Sequence, residues 1–460
     1  MKDVIIIGAG IAGLTAGFEL QKSNIDFQIL ESSDRIGGVI ETLKISDCLI
    51  ETGPNTFSSL SKETLGLVKD LECEDSLIEA SPDSKKRYIY INSHLKPVPA
   101  NPIDFLKTDI LSRAGKWTVF EELFIPKEEK EETVEDFFTR RFGREVLKNL
   151  IQPYLNGVFA GDVKKLSTSA VFPKLKELEN KHKSVLLGFI LSKQFKQAEK
   201  LTLYSFEEGM EFLPNEIYKK IKTKVTLNAK NIEITRAKDC FIVTFKINNK
   251  TINYPANSVL FAIPAYKVLD YNHLFPHHYL TEIFHTEYLP LCVASQIVDK
   301  SKLKFDLDGF GFLCTKEPHR KLLGTIWNSS IFSKRAPANK VLMTSYMGGA
   351  YHKKVIDQTE DEIKTLFTKE LCETLHISDH NSLETLNIKI HTHAIPQYNL
   401  GHTEKVNRVI EFMSKGYGLF FCGNYFSGIS INDTVKTSKE VTEKIKIFLN
   451  TQTKKKEVTV

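Results

Sequence analysis

MKDVIIIGAGIAGLTAGFELQKSNIDFQILE, residues 1–31, determines the fold class of this chain. The apolar run at residues 3–7 ends at glycines, which is typical of a central parallel strand buried on both faces. Residues 12–22 have the apolar spacing of a helix, and residues 27–31 predict the next parallel strand. Together they predict a βαβ unit at the start of an α/β domain.

The glycines of this unit have the spacing of a nucleotide-binding turn. Gly8 permits the tight turn, Gly10 lets the backbone approach a pyrophosphate, and Gly13 allows close packing of helix on strand. The helix N-terminus offers N–H groups and partial positive charge to phosphates. Glu31 ends the second strand 18 residues after Gly13, where a carboxylate accepts hydrogen bonds from a ribose. The residues assigned to this site are Gly8, Ala9, Gly10, Ile11, Ala12, Gly13, Glu31 and Ser32.

The composition excludes several classes of protein. A length of 460 residues allows two or three domains with a large buried core. The formal net charge of +5 is small, and no basic stripe with interleaved aromatic residues occurs, so nucleic acid is a poor partner. The seven cysteines include no C-x-x-C pair, which indicates reduced thiols in the cytoplasm.

Neither a metal site nor a membrane span is predicted. Two histidine pairs have helical or strand spacing but lack a third ligand nearby: His376 with His380, and His391 with His393. The longest apolar stretches, residues 185–191 and 289–298, are shorter than the ~18 to 20 residues that span a bilayer.

The rest of the chain predicts a helical middle and a mixed second half. The expected elements are helices over about 100–200, a solvated loop at 127–132 (KEEKEE), strands within 225–263, strands and turns over 290–350, a helix over 359–375, a strand at 419–422, a helix over about 433–449 and a flexible tail at 451–460.

Two motifs after the first unit resemble those of FAD-binding oxidoreductases of the amine-oxidase superfamily. In "ESSDRIGG" (31–38), Arg35 offers a cation near the pyrophosphate, and Gly37 and Gly38 let the chain pass close to the cofactor. "ETGPNTF" (51–57) resembles the turn that the superfamily lays beside the isoalloxazine ring. The resemblance implies FAD as cofactor, with further contacts from Arg35, Gly37, Gly38, Val39, Gly53, Pro54, Asn55 and Thr56.

The carboxyl end, "LFFCGNYFSGISINDT" (419–434), resembles the closing strand, turn and helix of the same superfamily. The resemblance implies that Gly423 and Asn424 approach the pyrophosphate. It also implies that the main chain of Ile429, Ser430 and Ile431 opens a helix aimed at the flavin N1–C2=O edge. A helix dipole at that edge stabilises the anionic reduced flavin.

Motifs near residue 8 and near residue 430 that serve one cofactor imply a discontinuous domain. The predicted fold class is α/β: a discontinuous Rossmann-like FAD-binding domain with an inserted α+β substrate domain and a mostly helical subdomain. The superfamily's valine whose backbone pairs with adenine is replaced by Asn231, which a main-chain contact tolerates. The assigned ranges are 1–88, 205–265 and 405–450 for FAD binding, 89–204 for the helical subdomain, 266–404 for the substrate domain and 451–460 for the tail.

Over nearly its whole length the chain resembles the oxygen-dependent protoporphyrinogen oxidases and their coproporphyrinogen-oxidising relatives. The resemblance implies that Arg87 pairs with a substrate propionate and that Gly157 belongs to the catalytic centre, with its main chain facing the macrocycle. It also implies that Leu323 packs on the tetrapyrrole, with Tyr346 and Met347 as neighbours. The segments that carry it are "KRYIYINSHLKPVPANPIDFL" (86–106), "IQPYLNGVFAGDVKKLS" (151–167), "HKSVLLGFI" (182–190), "YSFEEGMEFLP" (204–214) and "AIPQYNLGH" (394–402).

The implied reaction is hydride transfer from a porphyrinogen to the flavin, which molecular oxygen reoxidises to give hydrogen peroxide. Residues 289–298 lack the lysine that many amine oxidases carry, and no essential general base stands out. Three alternatives stay open: a coproporphyrinogen III to coproporphyrin III oxidase, another superfamily oxidoreductase, such as an amine oxidase or carotenoid desaturase, and a non-catalytic flavoprotein. We expect protoporphyrinogen IX, with two propionates, rather than coproporphyrinogen III, with four, because Arg87 is the cation that the resemblance assigns to the pocket.

The apolar run at residues 185–191 lies between Lys183 and Lys193. That arrangement suits peripheral contact with the inner face of the cell membrane, where lysines meet anionic headgroups. A buried core helix explains the same pattern. The sequence leaves this choice open, as it does a homodimer.

Overall fold

The computed structural model describes residues 1–60, 62–192, 201–275 and 278–458. Its strands are β1 Lys2–Ile7, β2 Phe27–Leu30, β3 Thr42–Ile45, β4 Cys48–Glu51, β5 Phe57–Ser58, β6 Leu77–Glu79, β7 Tyr88–Ile91, β8 His94–Pro97, β9 Leu203–Phe206, β10 Val225–Thr226, β11 Lys230–Arg236, β12 Phe241–Ile247, β13 Lys250–Phe261, β14 Tyr288–Asp299, β15 Gly311–Cys314, β16 Leu322–Ile326, β17 Lys340–Gly348, β18 Glu384–Pro396 and β19 Leu419–Phe421. Its α-helices are α1 Ile11–Lys22, α2 Lys62–Asp70, α3 Pro102–Lys107, α4 Arg113–Glu121, α5 Val134–Phe142, α6 Arg144–Val146, α7 Gln152–Phe159, α8 Thr168–Val171, α9 Pro173–His182, α10 Val185–Leu191, α11 Phe212–Ile221, α12 Ala265–Val268, α13 Asn328–Ile331, α14 Glu360–Leu375, α15 His402–Ser414 and α16 Ile431–Val458.

The first sheet contains the predicted central parallel strand. Its order is β10-β2-β1-β13-β12-β11, with β19 beside the carboxyl end of β13. β1 runs parallel to both β2 and β13, and Val4, Ile5 and Ile6 are fully buried, as expected for an apolar strand inside an α/β sheet. In the sequence, β19 is separated from β13 by strands that belong to a second sheet. The α/β fold class with a discontinuous first domain is therefore confirmed.

The second sheet has the order β18-β14-β17-β16-β15-β7-β8. β14 pairs antiparallel with β17 and β18, and β7 pairs parallel with β15. The predicted domain boundary between residues 88 and 89 falls inside β7 and is wrong. Sequence alone could not locate it, because β7 finds its partner β15 more than two hundred residues later in the chain.

The helical region begins after β8 and surrounds a core of its own, which includes Leu111, Phe137 and Leu155. Arg141 of α5 is almost fully buried within it, with its guanidinium 2.9 Å from Glu122 and 2.7 Å from Glu179. Breaking a buried pair of this kind by removing one partner costs about 3 to 5 kcal/mol. The pairs therefore hold α5 firmly against its neighbours.

The charged run at residues 127–132 is not the wholly solvated loop that the sequence predicted. Glu131 accepts hydrogen bonds from the Ser167 hydroxyl at 2.5 Å and the Gly401 N–H at 2.8 Å. Glu132 is buried and pairs with Arg140 at 2.6 Å. The prediction is wrong for these two residues, because their partners come from segments that are distant in sequence.

The final helix is longer than predicted. Residues 451–458, which were assigned to a flexible tail, continue α16, and residues 459 and 460 lie outside the described residues. No glycine or proline occurs between residues 444 and 458, so the usual stop signals are missing there.

Three whole-chain features bear on the sequence predictions. Within the described ranges, no helix combines the length and apolar character needed to cross a membrane. All seven cysteines belong to the described part of the chain and are free thiols. The ring of His391 lies 2.9 Å from the Thr52 carbonyl oxygen, whereas the ring of His393 packs on Tyr266, so the two rings have separate surroundings.

Candidate active site

Each of the three glycines in the first turn is required for a different structural reason. Gly8 has φ +103°, and a Cβ on it would lie 2.6 Å from the Ala262 carbonyl oxygen. A Cβ on Gly13 would overlap the Gly8 carbonyl oxygen. Gly10 differs, because no atom of the described residues lies within 4 Å of the place its Cβ would take. The protein itself requires Gly8 and Gly13, whereas the open space at Gly10 fits a ligand lying against the backbone.

Glu31 lies beside this turn. One carboxylate oxygen accepts the Ala9 N–H at 2.8 Å, and the other accepts the N–H and hydroxyl of Ser33, both at 2.8 Å. The Ser32 hydroxyl lies 3.4 Å from the second oxygen as a further donor. Acceptor capacity for a ribose hydroxyl therefore remains on the first oxygen, which accepts the Ala9 N–H alone among the described donors. The geometry agrees with the predicted ribose contact, which stays a prediction.

The second motif folds back onto the first turn. The Gly37 N–H donates to the Ala9 carbonyl at 2.8 Å, and Gly38, with φ +62°, passes Gly10 closely. Arg35 donates to the carbonyl oxygens of Gly38 and Ile40 at 2.6 and 2.7 Å. The Arg35 guanidinium therefore fastens this loop, a use of its donors that the sequence did not reveal.

The turn of residues 53–56 packs on the same loop. A Cβ on Gly53 would overlap the carbonyl oxygen of Val39, whose own side chain is exposed.

Asn231, the residue assigned to the adenine contact, is exposed with φ +50°. The preceding Lys230 donates to the Ser32 carbonyl oxygen, which brings this segment beside the end of β2.

The carboxyl-terminal motif contacts the segment after the turn of residues 53–56, because the Asn432 amide donates to the carbonyl and hydroxyl oxygens of Ser58, both at 2.9 Å. α16 begins at Ile431, and the Thr434 N–H donates to the Ser430 carbonyl at 3.0 Å. Residues 429–431 thus open a helix, with its positive dipole end at this turn. Cys422, next to the predicted pyrophosphate contacts Gly423 and Asn424, is fully buried, and burial raises the pKa of its thiol to about 12. A covalent cofactor link through this thiol is therefore disfavoured.

A directional hydrogen-bond chain joins the turn of residues 53–56 to the second sheet. The Asn328 amide donates to Asn55 Oδ1 at 2.6 Å, and Asn55 Nδ2 donates to the Tyr346 hydroxyl oxygen at 2.8 Å. Thr344 donates to Asn328 Oδ1 at 2.8 Å and completes the chain. Tyr346 therefore accepts from the protein and keeps its own proton for a group in front of the sheet.

One face of the second sheet forms an apolar wall. Leu323 clusters with Ala160, Leu291 and Val293, and Tyr346 packs against this cluster. The prediction that Met347 lies beside the substrate is wrong. Met347 is fully buried in the core behind the sheet, because successive side chains of a strand point to opposite faces.

Helix α7 lies against the same wall. A Cβ on Gly157 would overlap the Leu313 side chain of β15, so this glycine lets the helix approach the sheet. Tyr154, one turn earlier, lies on the same helix face. Burial raises the pKa of Tyr154, although the side chain remains 41% exposed.

Arg87 lies beside Phe310 and Tyr154, and its side chain is exposed. Its guanidinium lies 4.9 Å from the centre of the Phe310 ring, and it forms no ion pair with any carboxylate in the described ranges. Burial lowers the pKa of Arg87, and its charge interacts with Tyr154. Arg87 thus lies near Tyr154 on the helix that carries Gly157, while Leu323 and Tyr346 share the apolar wall. Their joint role in substrate binding stays a prediction. An unpaired arginine at an apolar wall suits a ligand that is apolar with a carboxylate at its rim.

Sequence reasoning missed several residues of this site. Tyr154 could have been found from its three-residue spacing to Gly157 on a predicted helix. Leu313 and Asn328 carried no local signal, because only the pairing of strands places them here. Gln397 and Tyr398 belong to a quoted motif, but their contacts with α7 and with the loop after β19 needed the tertiary structure.

A family model for flavin-containing amine oxidoreductases matches residues 11–446. A coproporphyrinogen III oxidase from Bacillus subtilis (strain 168) is 27% identical over 95% of this chain and 96% of its own length. A chloroplastic protoporphyrinogen oxidase from Nicotiana tabacum is 28% identical over 97% of this chain and 86% of its own length.

Solved structures share the fold. A protein from Exiguobacterium sp. 255-15, whose name gives protoporphyrinogen oxidase as a provisional activity, superposes with a TM-score of 0.81. The match covers 98% of this chain and 99% of that one at 21% identity. A reduced UDP-galactopyranose mutase superposes with a TM-score of 0.72 at 13% identity, covering 96% of this chain and 93% of that one. These likenesses establish the fold.

We predict that the purified protein is yellow, that it releases FAD on denaturation, and that Gly10→Val loses FAD binding while the protein stays folded. Gly10 is extended, with φ −70° and ψ 177°, so its backbone accepts a side chain, but the side chain occupies the pyrophosphate space. Flavin absorbance and the Tm of the apoprotein measure the two effects. Gly66→Val is the matched control, since a Cβ there also meets no described atom within 4 Å. Normal flavin content in Gly10→Val would contradict the assignment.

Proposed function

The chain belongs to the family of flavin-containing amine oxidoreductases, and we propose that it converts protoporphyrinogen IX to protoporphyrin IX with molecular oxygen, giving hydrogen peroxide, in haem biosynthesis. It is an FAD-dependent oxidoreductase. The observation that carries the proposed substrate is the apolar wall of Leu323 and Tyr346 with the unpaired Arg87 at its edge. Relatives named for porphyrinogen oxidation support it over nearly the whole chain.

The residues present fit FAD. The open space at Gly10 accommodates the pyrophosphate, and Glu31 is placed for a ribose. The start of α16 offers the N–H groups of Ile431 and Asn432 to the ring system, since those of Ser430 and Asp433 bond within the turn. When bound, FAD accepts a hydride from the substrate and passes the electrons to oxygen. The contacts assigned to it are mostly main-chain groups, so no covalent link is required.

The residues of this chain orient the substrate. The apolar wall displaces water from the disc of the macrocycle, and Arg87 binds a carboxylate at its rim through charge-assisted hydrogen bonds. Asn55 fixes the hydroxyl of Tyr346, so that the proton of this hydroxyl points towards the bound ligands. These residues accelerate the reaction by holding the substrate close to the cofactor in a reactive orientation.

An amine substrate suits this site less well. β14 forms part of the wall and contains no lysine, and the charged group at the edge is a cation. A cation at the edge repels an ammonium group and attracts a carboxylate. The site therefore favours an acidic substrate over an amine, although the family includes amine oxidoreductases.

Two neighbouring cations that could serve a substrate with four carboxylates have other roles. Arg320 is buried behind the sheet, with its guanidinium 4.3 Å from the Tyr90 ring centre and 3.0 Å from the Thr374 hydroxyl. The main-chain N–H of Lys321 donates to Glu370, and the Lys321 ammonium interacts electrostatically with Glu362 on the same helix, α14. An unpaired buried carboxylate is unfavourable by several kcal/mol. These contacts support protoporphyrinogen IX, which has two carboxylates, over coproporphyrinogen III, which has four.

We predict that Arg87→Ala raises the KM for protoporphyrinogen about tenfold to a hundredfold, as expected for the loss of one charge-assisted pair of about 1.5 to 3 kcal/mol. The turnover number falls less, because Arg87 holds the rim and not the reacting carbon. Porphyrin fluorescence under air measures both constants. Lys86→Ala is the control, because this adjacent cation pairs with Asp308 at 2.6 Å on the protein surface. An unchanged KM in Arg87→Ala would remove Arg87 from the site.

We further predict that the specificity constant for protoporphyrinogen IX exceeds that for coproporphyrinogen III on the same preparation. The physical reason is the shortage of pocket-facing cations around Leu323. The measurement compares the initial rates of both substrates at several concentrations. A tenfold or greater advantage of coproporphyrinogen would reverse the assignment and leave the flavin oxidase intact.

We also propose peripheral contact with anionic lipid on the cytoplasmic face of the membrane. Large apolar side chains on α3, on α4, on the turn after it and on α10 are exposed, including Trp117 at 64%, Phe124 at 86% and Ile190 at 72%. Contacts hold these elements together. The ring centres of Phe105 and Phe120 lie 6.4 Å apart, and the Glu122 carboxylate accepts the N–H of Val185 at 2.8 Å. The full apolar set is Ile103, Leu106, Trp117, Phe120, Leu123, Phe124, Leu187, Ile190 and Leu191.

Monomeric proteins rarely expose an apolar patch of this kind without a partner. Lys183 flanks the patch, whereas Lys193, the second lysine named from the sequence, lies outside the described residues. A patch of aromatic and aliphatic side chains with a basic border suits an interface of anionic headgroups. The free thiols agree with a reducing compartment on that side.

We predict that the protein floats with vesicles that contain anionic lipid and that Phe124→Ser with Ile190→Ser leaves it in the soluble fraction. The two substitutions remove the most exposed apolar side chains of the patch. Ile447→Ser is the matched control, because Ile447 is 66% exposed on α16, outside the patch. Wild-type protein that stays wholly in the soluble fraction contradicts the proposal.

A further inference from the structure

The segment of residues 397–402, QYNLGH, follows β18 and contacts the loop of residues 423–428 after β19. The Tyr398 hydroxyl donates to the Asn424 carbonyl oxygen and accepts the Gly428 N–H at 3.0 Å. Tyr398 is only 1% exposed. One phenol oxygen therefore joins the two ends of this loop, whose carboxyl end leads into α16.

His402 supports Tyr398 from behind. The two rings stack with centroids 4.0 Å apart and planes 15° apart, and His402 Nε2 donates to the Phe426 carbonyl at 2.9 Å. This bond requires the proton on Nε2. Burial lowers the pKa of His402 to about 4, with Lys405 lowering it and Glu131 raising it by smaller amounts. The ring is therefore neutral at neutral pH.

Gln397 extends the same segment to the substrate wall. Its amide donates to the Phe159 carbonyl at 2.9 Å, and the side chain is buried. Phe159 is the last residue of α7, two residues after Gly157. A single short segment thus contacts the loop beside the flavin and the helix beside the substrate.

We propose that Tyr398 and His402 are positioning residues for FAD, which hold the loop of residues 423–428 in its cofactor-binding form, and that Gln397 links this loop to α7. The loop donates main-chain groups to the cofactor, and such groups bind well only when they are already arranged. Residues 423–428 contain two glycines, so the loop has little rigidity of its own. The contacts from Tyr398 and His402 supply that rigidity.

Tyr398→Phe tests the first part, because it keeps the ring and removes both hydrogen bonds. We expect the Kd for FAD to rise at least ~10-fold, as for the loss of two buried hydrogen bonds of about 1 kcal/mol each. The flavin absorbance band should shift, and the increase in Tm on adding FAD should shrink. Tyr204→Phe is the control, since its hydroxyl contacts only Glu79 at 3.3 Å in the described residues. A wild-type Kd and spectrum in Tyr398→Phe overturn the proposal.

His402→Gln and His402→Leu test the second part. The glutamine amide can still donate to the Phe426 carbonyl, so His402→Gln should bind FAD nearly as the wild type does, whereas His402→Leu should bind it weakly. Equal Kd values for the two variants overturn the role of His402.

The pH dependence of FAD binding gives a further readout. His402 is neutral in the closed loop, with its pKa lowered from 6.5 to about 4, so acidification favours the open loop. The affinity should be full above pH 6.5 and should fall as the pH drops from 6.5 towards 4. His402→Gln should lack this component, and a pH profile identical to that of the wild type overturns the coupling.

The link to α7 rests on the proposed porphyrinogen oxidation. Gln397→Leu should raise the KM for protoporphyrinogen severalfold and leave the Kd for FAD unchanged. An unchanged KM overturns the link and leaves the FAD-positioning role intact. A wild-type protein that oxidises no porphyrinogen refutes the proposed function, while the FAD readouts of Tyr398 and His402 still decide the rest.

Discussion

The close approach of α1 to the end of β1 is the constraint on which the rest of the structure depends. Gly13 makes it possible, because any side chain there would overlap the carbonyl oxygen of Gly8. The Ala9 N–H then meets Glu31 at the end of β2, and the Ala9 carbonyl meets the Gly37 N–H. Two motifs separated by a helix and a strand therefore share one turn. The open space at Gly10, which we assign to the cofactor, lies beside this turn.

The two sheets meet through buried polar contacts around the turn of residues 53–56. Glu51 accepts the Met210 N–H at 2.9 Å and lies 3.7 Å from Arg335, and burial raises the pKa of Glu51 to about 7. Asn55 bonds Tyr346 on the far side of the turn. Groups of this kind are unfavourable when buried without partners. The active site is consequently well formed only when both sheets are docked.

The helical region differs from the two sheets, because it exposes several large apolar side chains on its surface. Glu122 accepts the N–H groups of Val185 and Leu186 and the Ser184 hydroxyl, and it pairs with Arg141. These bonds hold the start of α10 against the buried interior. Because a satisfied buried network specifies one arrangement, α10 presents its remaining apolar side chains outward instead of sinking into the core.

Local patterns were enough for the first βαβ unit, the strands at residues 225–263, the helix at 359–375 and the class of cofactor, because glycine spacing and apolar periodicity act over a few residues. They failed where the partner is distant in sequence. Tyr346 and Met347 are neighbours on one strand and therefore point to opposite faces. The packing of the second sheet decided which of the two faces the apolar wall and which the core. The sequence placed the end of the first domain at residue 88, which lies inside the strand that pairs with β15. The charge and apolar pattern of a sequence indicates whether a side chain is buried or paired. The packing of the whole chain determines which residue is its partner.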